Sequence, residues 1–152
     1  VQSLLDLFRV GSEVQRQAVD LKALLAHLPI EGLEVSVQSP RPFTADPDLL
    51  AAAFANLLDN AKRYGARQVV VSTPAPGTLR LQDDGPGAIP ERLHELREAL
   101  RKQDYEGHTG LGLMLADLVA RSHGGSLSLP RTEQGFAVEL ILDKADGDER
   151  AV

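Results

Sequence analysis

The chain has 152 residues, which suits one domain with a workable core, and its 43% hydrophobic and 25% charged residues are ordinary for a soluble globular protein. A net charge of −6 argues against broad nucleic-acid binding, and the absence of cysteine excludes disulfides and cysteine-ligated zinc while being compatible with a reducing cytosol. No apolar run approaches the roughly 20 residues of a membrane span, no signal peptide is visible, and the first residue is Val rather than Met, so the chain reads as an excerpt of a longer one.

In chain order, Val1 to His27 is predicted helical, with Leu4, Leu5, Leu7 and Phe8, then Val19, Leu21, Leu24, Leu25 and Leu28, as its apolar positions. Gly11-Ser12 breaks it into two pieces and Pro29 stops the second. Leu4 to Phe8 is more apolar than a lone helix end needs, which points to a packing partner elsewhere. Leu33 to Gln38 alternates as a half-buried strand, Ser39-Pro-Arg-Pro is a turn, and Phe43 to Ala45 is a short edge strand. Asp46 is an N-cap, Pro47 the first helical residue and Asp48 a favourable charge at the helix start; this helix runs to about Tyr64 and ends at Gly65. Val-rich Gln68 to Thr73 and the run Thr78 to Gln82 form a hairpin across Pro74-Ala-Pro-Gly. Pro90 to about Lys102 is helical, Gln103 to Thr109 is a polar loop, and Gly110 to His123 is a helix ended by Gly124-Gly125. Ser126 to Leu129 and Phe136 to Leu142 read as a last strand pair with Gly135 near the turn, and Asp143 onward is a charged, frayed tail.

Three segments carry chemistry. On a helical wheel Asn56, Asn60 and Arg63 fall within roughly 60° of one another, beside an apolar face of Leu50, Phe54, Leu57, Leu58 and Ala61. Carboxamide oxygens are hard neutral ligands for Mg²⁺ and a guanidinium pairs with phosphate, although a polar helix face alone is more often just solvated. Asp83-Asp84-Gly85-Pro86-Gly87 follows a strand: its glycines allow close approach of a flat ring, and a carboxylate at a strand end can accept from an exocyclic amine such as adenine's. The plain alternative is an acidic turn. Thr109-Gly110-Leu111-Gly112-Leu113 opens a helix, where free backbone N–H groups make an anion site. There is no Walker A pattern and no dinucleotide fingerprint.

Taken in this order, Asn56-x3-Asn60-Ala-x-Arg63-Tyr64, Asp83-x-Gly85-x-Gly87 and Gly110-Leu111-Gly112-Leu113 resemble the N box and the two glycine boxes of sensor histidine kinases. Those kinases belong to the Bergerat-type ATP-binding superfamily that also holds gyrase, MutL and a heat-shock chaperone. The resemblance spans about Asp20 to Leu142 and includes Asp46-Pro47-Asp48-Leu49 before the N box. It implies an α/β (α+β) two-layer sandwich: a mixed sheet of about five strands, helices on one face, and ATP on the helical side. It implies that Asn60 ligates Mg²⁺ on the ATP phosphates with Asn56 assisting near the γ-phosphate, that Arg63 meets phosphate, and that Tyr64 lines the nucleotide pocket. Asp83 would bind the adenine amino group, Gly85 and Gly87 would shape the pocket floor, and Thr109, Gly110, Leu111, Gly112 and Leu113 would hold phosphates and hinge the lid.

The chain also departs from the family pattern. The phenylalanine-rich box between the glycine boxes is matched by Leu93 to Leu100 with no Phe, Ala88 looks like a one-residue insertion after Gly87, and the short lid has basic candidates only at Arg101, Lys102 and His108. His94-Glu95-Leu96-Arg97 imitates the phospho-acceptor core but lies between the glycine boxes, continues Glu-Ala and reads as a solvated helix face. His27, His108 and His123 have no acceptor context either; His123 sits near a helix C-terminus, a place that favours positive charge.

The resemblance implies an ATP-dependent protein histidine kinase domain, with the acceptor His on a dimerisation region outside this chain. Residues 1–16 would be the tail of that region, 17–143 the ATP-binding domain and 144–152 the tail. Superfamily ATPases place a Glu at the position of Asn56 to activate water, and Asn cannot take a proton, so slow hydrolysis and a kinase are expected. Its partners would be ATP, its own dimerisation domain and a response regulator, with no nucleic acid and no direct membrane contact, in the cytoplasmic portion of a membrane-bound sensor. The alternatives are a degenerate nucleotide-sensing or docking module and an anti-sigma-factor-type serine kinase.

Overall fold

Strand-forming segments leave their backbone groups without protein partners until they meet a neighbour, and the order in which they meet decides where a site can form. The computed structural model describes residues 14–28, 30–38, 40–105 and 113–142. The expectations for Leu4 to Phe8, the Gly11-Ser12 break, Pro29, the lid from residue 106 onward with His108, the segment Thr109 to Gly112 and the tail from Asp143 lie outside those residues.

The described elements run β1 (Gln17–Ala18), α1 (Leu21–Ala26), β2 (Glu34–Gln38), β3 (Thr44–Ala45), α2 (Pro47–Arg63), β4 (Gln68–Ala75), β5 (Thr78–Asp83), α3 (Pro90–Lys102), α4 (Met114–Ser122), β6 (Ser126–Ser128) and β7 (Ala137–Ile141). The main sheet has five strands in the order β2-β4-β5-β7-β6, with β2 and β4 parallel and the other pairs antiparallel, so it is mixed as expected.

Register sorts the two faces. Val37, Val71, Leu81 and Val138 form one row across four strands, and Leu79, Leu140 and Leu127 another. All but half-buried Val37 are buried, in one cluster with Leu50, Phe54, Leu57 and Leu58 of α2, Leu96 and Leu100 of α3 and Leu115 and Val119 of α4. The alternate row, Gln38, Ser72, Arg80, Glu139 and Ser128, is polar, with Arg80 and Glu139 3.5 Å apart. A sheet apolar on one side and polar on the other takes its helices on the apolar side alone.

The N-terminal reading needs correction. The run predicted as a helix to His27 holds a strand: Gln17–Ala18 pairs antiparallel with Thr44–Ala45, and helix begins only at Leu21, capped by the Asp20 carboxylate accepting from the Ala23 N–H at 3.2 Å. The hairpin is also longer than expected. β4 continues through Pro74 to Ala75, with a register shift between Ser72 and Ala75, which accommodates a proline that has no N–H for the ladder.

Candidate functional site

Asp46 starts α2 by accepting at Oδ1 from the N–H groups of Asp48 (3.1 Å) and Leu49 (3.2 Å), and Pro47 follows at the first helical position. The buried face of that helix is fixed on the sheet by Leu50, Ala53, Phe54, Leu57 and Leu58, so the neighbouring face, with Asn60, Ala61 and Tyr64 near its C-terminal end, borders open space. β5 ends opposite: Asp83 pairs in register with Val69, and the chain then turns through Gly85 and Gly87 into α3.

The two adjacent carboxylates at this turn differ. Asp84 accepts at Oδ1 from the backbone N–H groups of Arg67 (2.8 Å) and Gln68 (2.9 Å), and those bonds hold its pKa below the usual value. It closes the turn. Asp83 also accepts two backbone bonds on Oδ1, from Gly85 at 2.9 Å and Phe136 at 3.1 Å, but burial outweighs them and raises its pKa. With Oδ1 committed, Oδ2 remains as an acceptor for a ligand.

The glycines are close-approach positions. Gly87 has φ +77°, and a Cβ there would lie 2.6 Å from the Gly135 carbonyl oxygen; a Cβ on Gly135 would lie 1.8 Å from the Asp83 carbonyl oxygen. The backbones of Asp83, Gly87 and Gly135 are therefore stacked closely at this turn.

Between α2, the sheet, this turn and α3 lies a cavity of about 470 Å³. Asn60, Tyr64, Asp83, Gly85, Gly87 and Leu113 all line it, whereas Asn56 and Arg63 do not. Arg63 turns instead to Asp59, one turn back, with a 2.9 Å ion pair on an exposed face. Of Thr109, Gly110, Leu111 and Gly112 the described residues say nothing. The walls are mainly apolar, including Leu57, Val69, Leu81 and Val138, with few polar groups: a carboxamide, a phenol, one carboxylate and the guanidinium of Arg92. A largely apolar cleft of this size with a few fixed polar groups suits a small organic ligand.

Comparison with known proteins places the chain in a family. Residues 45–146 match the family model of the histidine kinase-, DNA gyrase B- and HSP90-like ATPases, which takes in α2, both strands of the hairpin and the cavity. The chain belongs to this ATPase family. Over 137 residues, 84% of the chain, it is 36% identical to the sensor histidine kinase GtrS of Pseudomonas aeruginosa, and over 60% of the chain it is 36% identical to the sensor protein QseC of Escherichia coli. It spans only 29% and 21% of the length of those relatives. Among solved structures, the ATP-binding domain of PrrB from Mycobacterium tuberculosis matches with a TM-score of 0.63 at 28% identity, covering 84% of this chain and 96% of that one.

The cavity lies on the side of the sheet that carries the helices, the side on which the resemblance places ATP. Sequence reasoning missed Arg92 and Leu96 on α3, Ile89, and Phe136 from the far hairpin. Nothing in the spacing of α3 signals which of its faces meets the cavity, and Phe136 arrives there through a backbone bond to a residue 53 positions away. His94 is exposed on α3 and does not line the cavity, in keeping with a solvated face. His123 corrects its expectation: it is 3% exposed, its Nε2 accepts from the Asp46 N–H at 3.0 Å, its Nδ1 donates to the Val119 carbonyl at 2.8 Å, and burial lowers its pKa. Those partners fix the neutral tautomer, so it carries no charge at the helix end.

Proposed function

We propose that this chain is the Mg-ATP-binding catalytic domain of a sensor histidine kinase and delivers the γ-phosphoryl group of ATP to a histidine outside this chain. The observation that carries the reading is the shared cavity: Asn60 from a helix meets Asp83, Gly85 and Gly87 from a strand end. Membership of the family and relatives described as sensor kinases support it.

In this reading Asp83 Oδ2 accepts from the adenine amine while Oδ1 stays with its two amides. Gly85 and Gly87 let the ring lie against backbone, Leu113 adds apolar wall, and Tyr64, which is 64% exposed, covers the rim. The cavity fits a magnesium nucleotide through Asn60, whose carboxamide oxygen is a hard neutral donor. Among the described residues no cluster of three or more His, Cys, Asp or Glu could hold a metal, so the remaining ligands would be phosphate oxygens and water, the usual company of Mg²⁺. Once bound, the ion neutralises charge on the phosphates, which leaves the protein mainly to position and exclude water. Asn56, on the same helix face, is assigned to the γ-phosphate side, Arg63 to phosphate, and Thr109, Gly110, Leu111 and Gly112 to phosphate contact through backbone N–H groups. None of these last six is among the described cavity residues, and the reading does not rest on them.

The proposal extends to the whole protein. A helical dimerisation region would end within residues 1–16, the nucleotide domain would occupy 17–143 with 144–152 as its tail, and a response regulator would receive the phosphoryl group. No described helix is long and apolar enough to cross a membrane; the domain is assigned to the cytoplasmic part of a sensor.

Titration of Mg-ATP into the chain tests the binding step, and incubation with a supplied acceptor domain and labelled ATP tests transfer. Saturable binding and an acid-labile phosphohistidine are expected. No binding at millimolar ATP would end the nucleotide reading, and an acid-stable phosphoserine would replace the histidine kinase with a serine kinase. Asn60→Ala is expected to abolish the Mg²⁺ dependence of ATP binding; unchanged dependence would remove Asn60 as ligand.

A further inference from the structure

A nucleoside triphosphate brings several negative charges, and this protein is itself acidic at −6, so a bound phosphate chain needs a local cation. Among the described residues the cavity has one cationic side chain, Arg92, in the first turn of α3. Most of the other described arginines are committed elsewhere. Arg63 holds Asp59 at 2.9 Å, Arg97 donates twice to the Leu129 carbonyl, Arg121 spans Asp117 and the Leu100 carbonyl, and Arg101 holds Glu98 at 2.8 Å. Arg92 has a looser arrangement: its Nη1 lies 3.8 Å from Glu95 Oε1, beyond hydrogen-bond length, with both side chains more than a third exposed. Such a pair contributes little and is readily exchanged for a better partner. A guanidinium offers phosphate two parallel N–H donors, a stronger, charge-assisted arrangement.

We propose that Arg92 is a nucleotide-binding residue that leaves Glu95 and takes the phosphate chain of the bound nucleotide. This rests on the nucleotide reading above. It differs from the helix-borne Arg63, which the pattern of residues on α2 selects but which the structure turns away from the cavity.

The test is calorimetric titration of the intact chain and its variants with Mg-ATP, Mg-ADP and adenosine, with thermal unfolding to confirm that each variant folds. Arg92→Ala should weaken Mg-ATP binding about tenfold or more, since a hydrogen bond to a charged group is lost, while adenosine binding stays within about twofold. Arg92→Lys should fall between, because an ammonium keeps the charge and loses the fork. Glu95→Gln should leave Mg-ATP binding equal or tighter. An equal loss for adenosine and Mg-ATP would make Arg92 a wall of the base pocket and overturn the inference. So would a phosphate-selective loss in Arg63→Ala with none in Arg92→Ala. Wild-type chain that binds Mg-ATP while Arg92→Ala binds it equally well overturns this inference alone; wild-type chain that binds no Mg-ATP overturns it together with the reading beneath it.

Discussion

In the proposed reading Asp83 is both structural and selective. Its Oδ1 holds the turn through Gly85 and Phe136, and its buried position raises its pKa while the two amides offset part of the desolvation. Asp83→Asn keeps a carbonyl oxygen for those amides and puts an NH₂ where Oδ2 stood, turning an acceptor into a donor. The preference for ATP over GTP should fall about tenfold, with thermal stability little changed; competition titration measures it, and an unaltered preference would remove Asp83 from base recognition. Because the ionised form is the acceptor, Mg-ATP affinity of the wild type should also decline as pH falls toward the raised pKa of Asp83. His123 makes the opposite case. Its folded pKa is depressed below the ordinary 6.5, so its contribution to stability is complete above that value and is lost as pH falls through the folded pKa. Chemical denaturation between neutral and acid pH should show this fall in wild type and a flatter profile in His123→Asn; parallel profiles would mean that His123 is not the titrating group.

At the scale of elements, α4 is organised by a carboxylate. Asp117 is fully buried and accepts from Tyr105 Oη at 2.5 Å, Arg121 Nε at 2.9 Å and the Leu127 N–H at 3.1 Å, which joins the segment after α3, the body of α4 and β6. Burial and the Asp117 charge push the Tyr105 hydroxyl up to about 12, so it remains a donor across the physiological range. Asp117→Ala strands three donors at once and should cost about 3 kcal/mol, whereas Tyr105→Phe removes one bond and should cost about 1 kcal/mol. Denaturant midpoints of the two variants check the ratio, and equal costs would show that Arg121 and Leu127 find other partners. Such a centre was not legible in the sequence, where Asp117 is one more polar residue in a helix. Elements with local signals were legible: α3 was expected from Pro90 to Lys102 and has those bounds, because a proline at its first position and basic residues in its last turn mark both ends. β1 was not, because Gln17–Ala18 is held extended by β3 and by Arg16, whose guanidinium bonds carbonyls 107 and 126 positions away. Periodicity cannot register contacts at that separation. The site divides the same way. Asn60, Asp83, Gly85 and Gly87 stood out by type and spacing, and the structure gathers them, whereas Asn56 and Arg63 stood out equally and do not line the cavity. Arg92 and Phe136 reach the cavity through packing that only the folded chain specifies.

For the whole molecule, the consequence is that described segments distant in sequence are tied at one point away from the cavity lining. Arg16 donates through Nη2 to the carbonyls of His123, at 2.5 Å, and Leu142, at 3.1 Å; the Gln15 N–H donates to Asp46 Oδ2; and the Asp46 N–H donates to His123. The strand before α1, the cap of α2, the end of α4 and the end of β7 thus share one hydrogen-bonded knot. Asp46 belongs to it and also starts the helix that bears Asn60, so the knot touches the frame of the site and not its lining. Arg16→Ala opens two carbonyls to solvent without touching the cavity. It should lower global stability by about 1 kcal/mol, since the side chain is partly exposed. Its larger effect should be local: faster amide hydrogen exchange at Gln15, Val19 and Asp46, with Asp83 and Gly85 unchanged and Mg-ATP affinity kept within about twofold. Exchange that accelerates equally across the sheet would instead make Arg16 a general contributor to stability, and the knot would lose its separate standing.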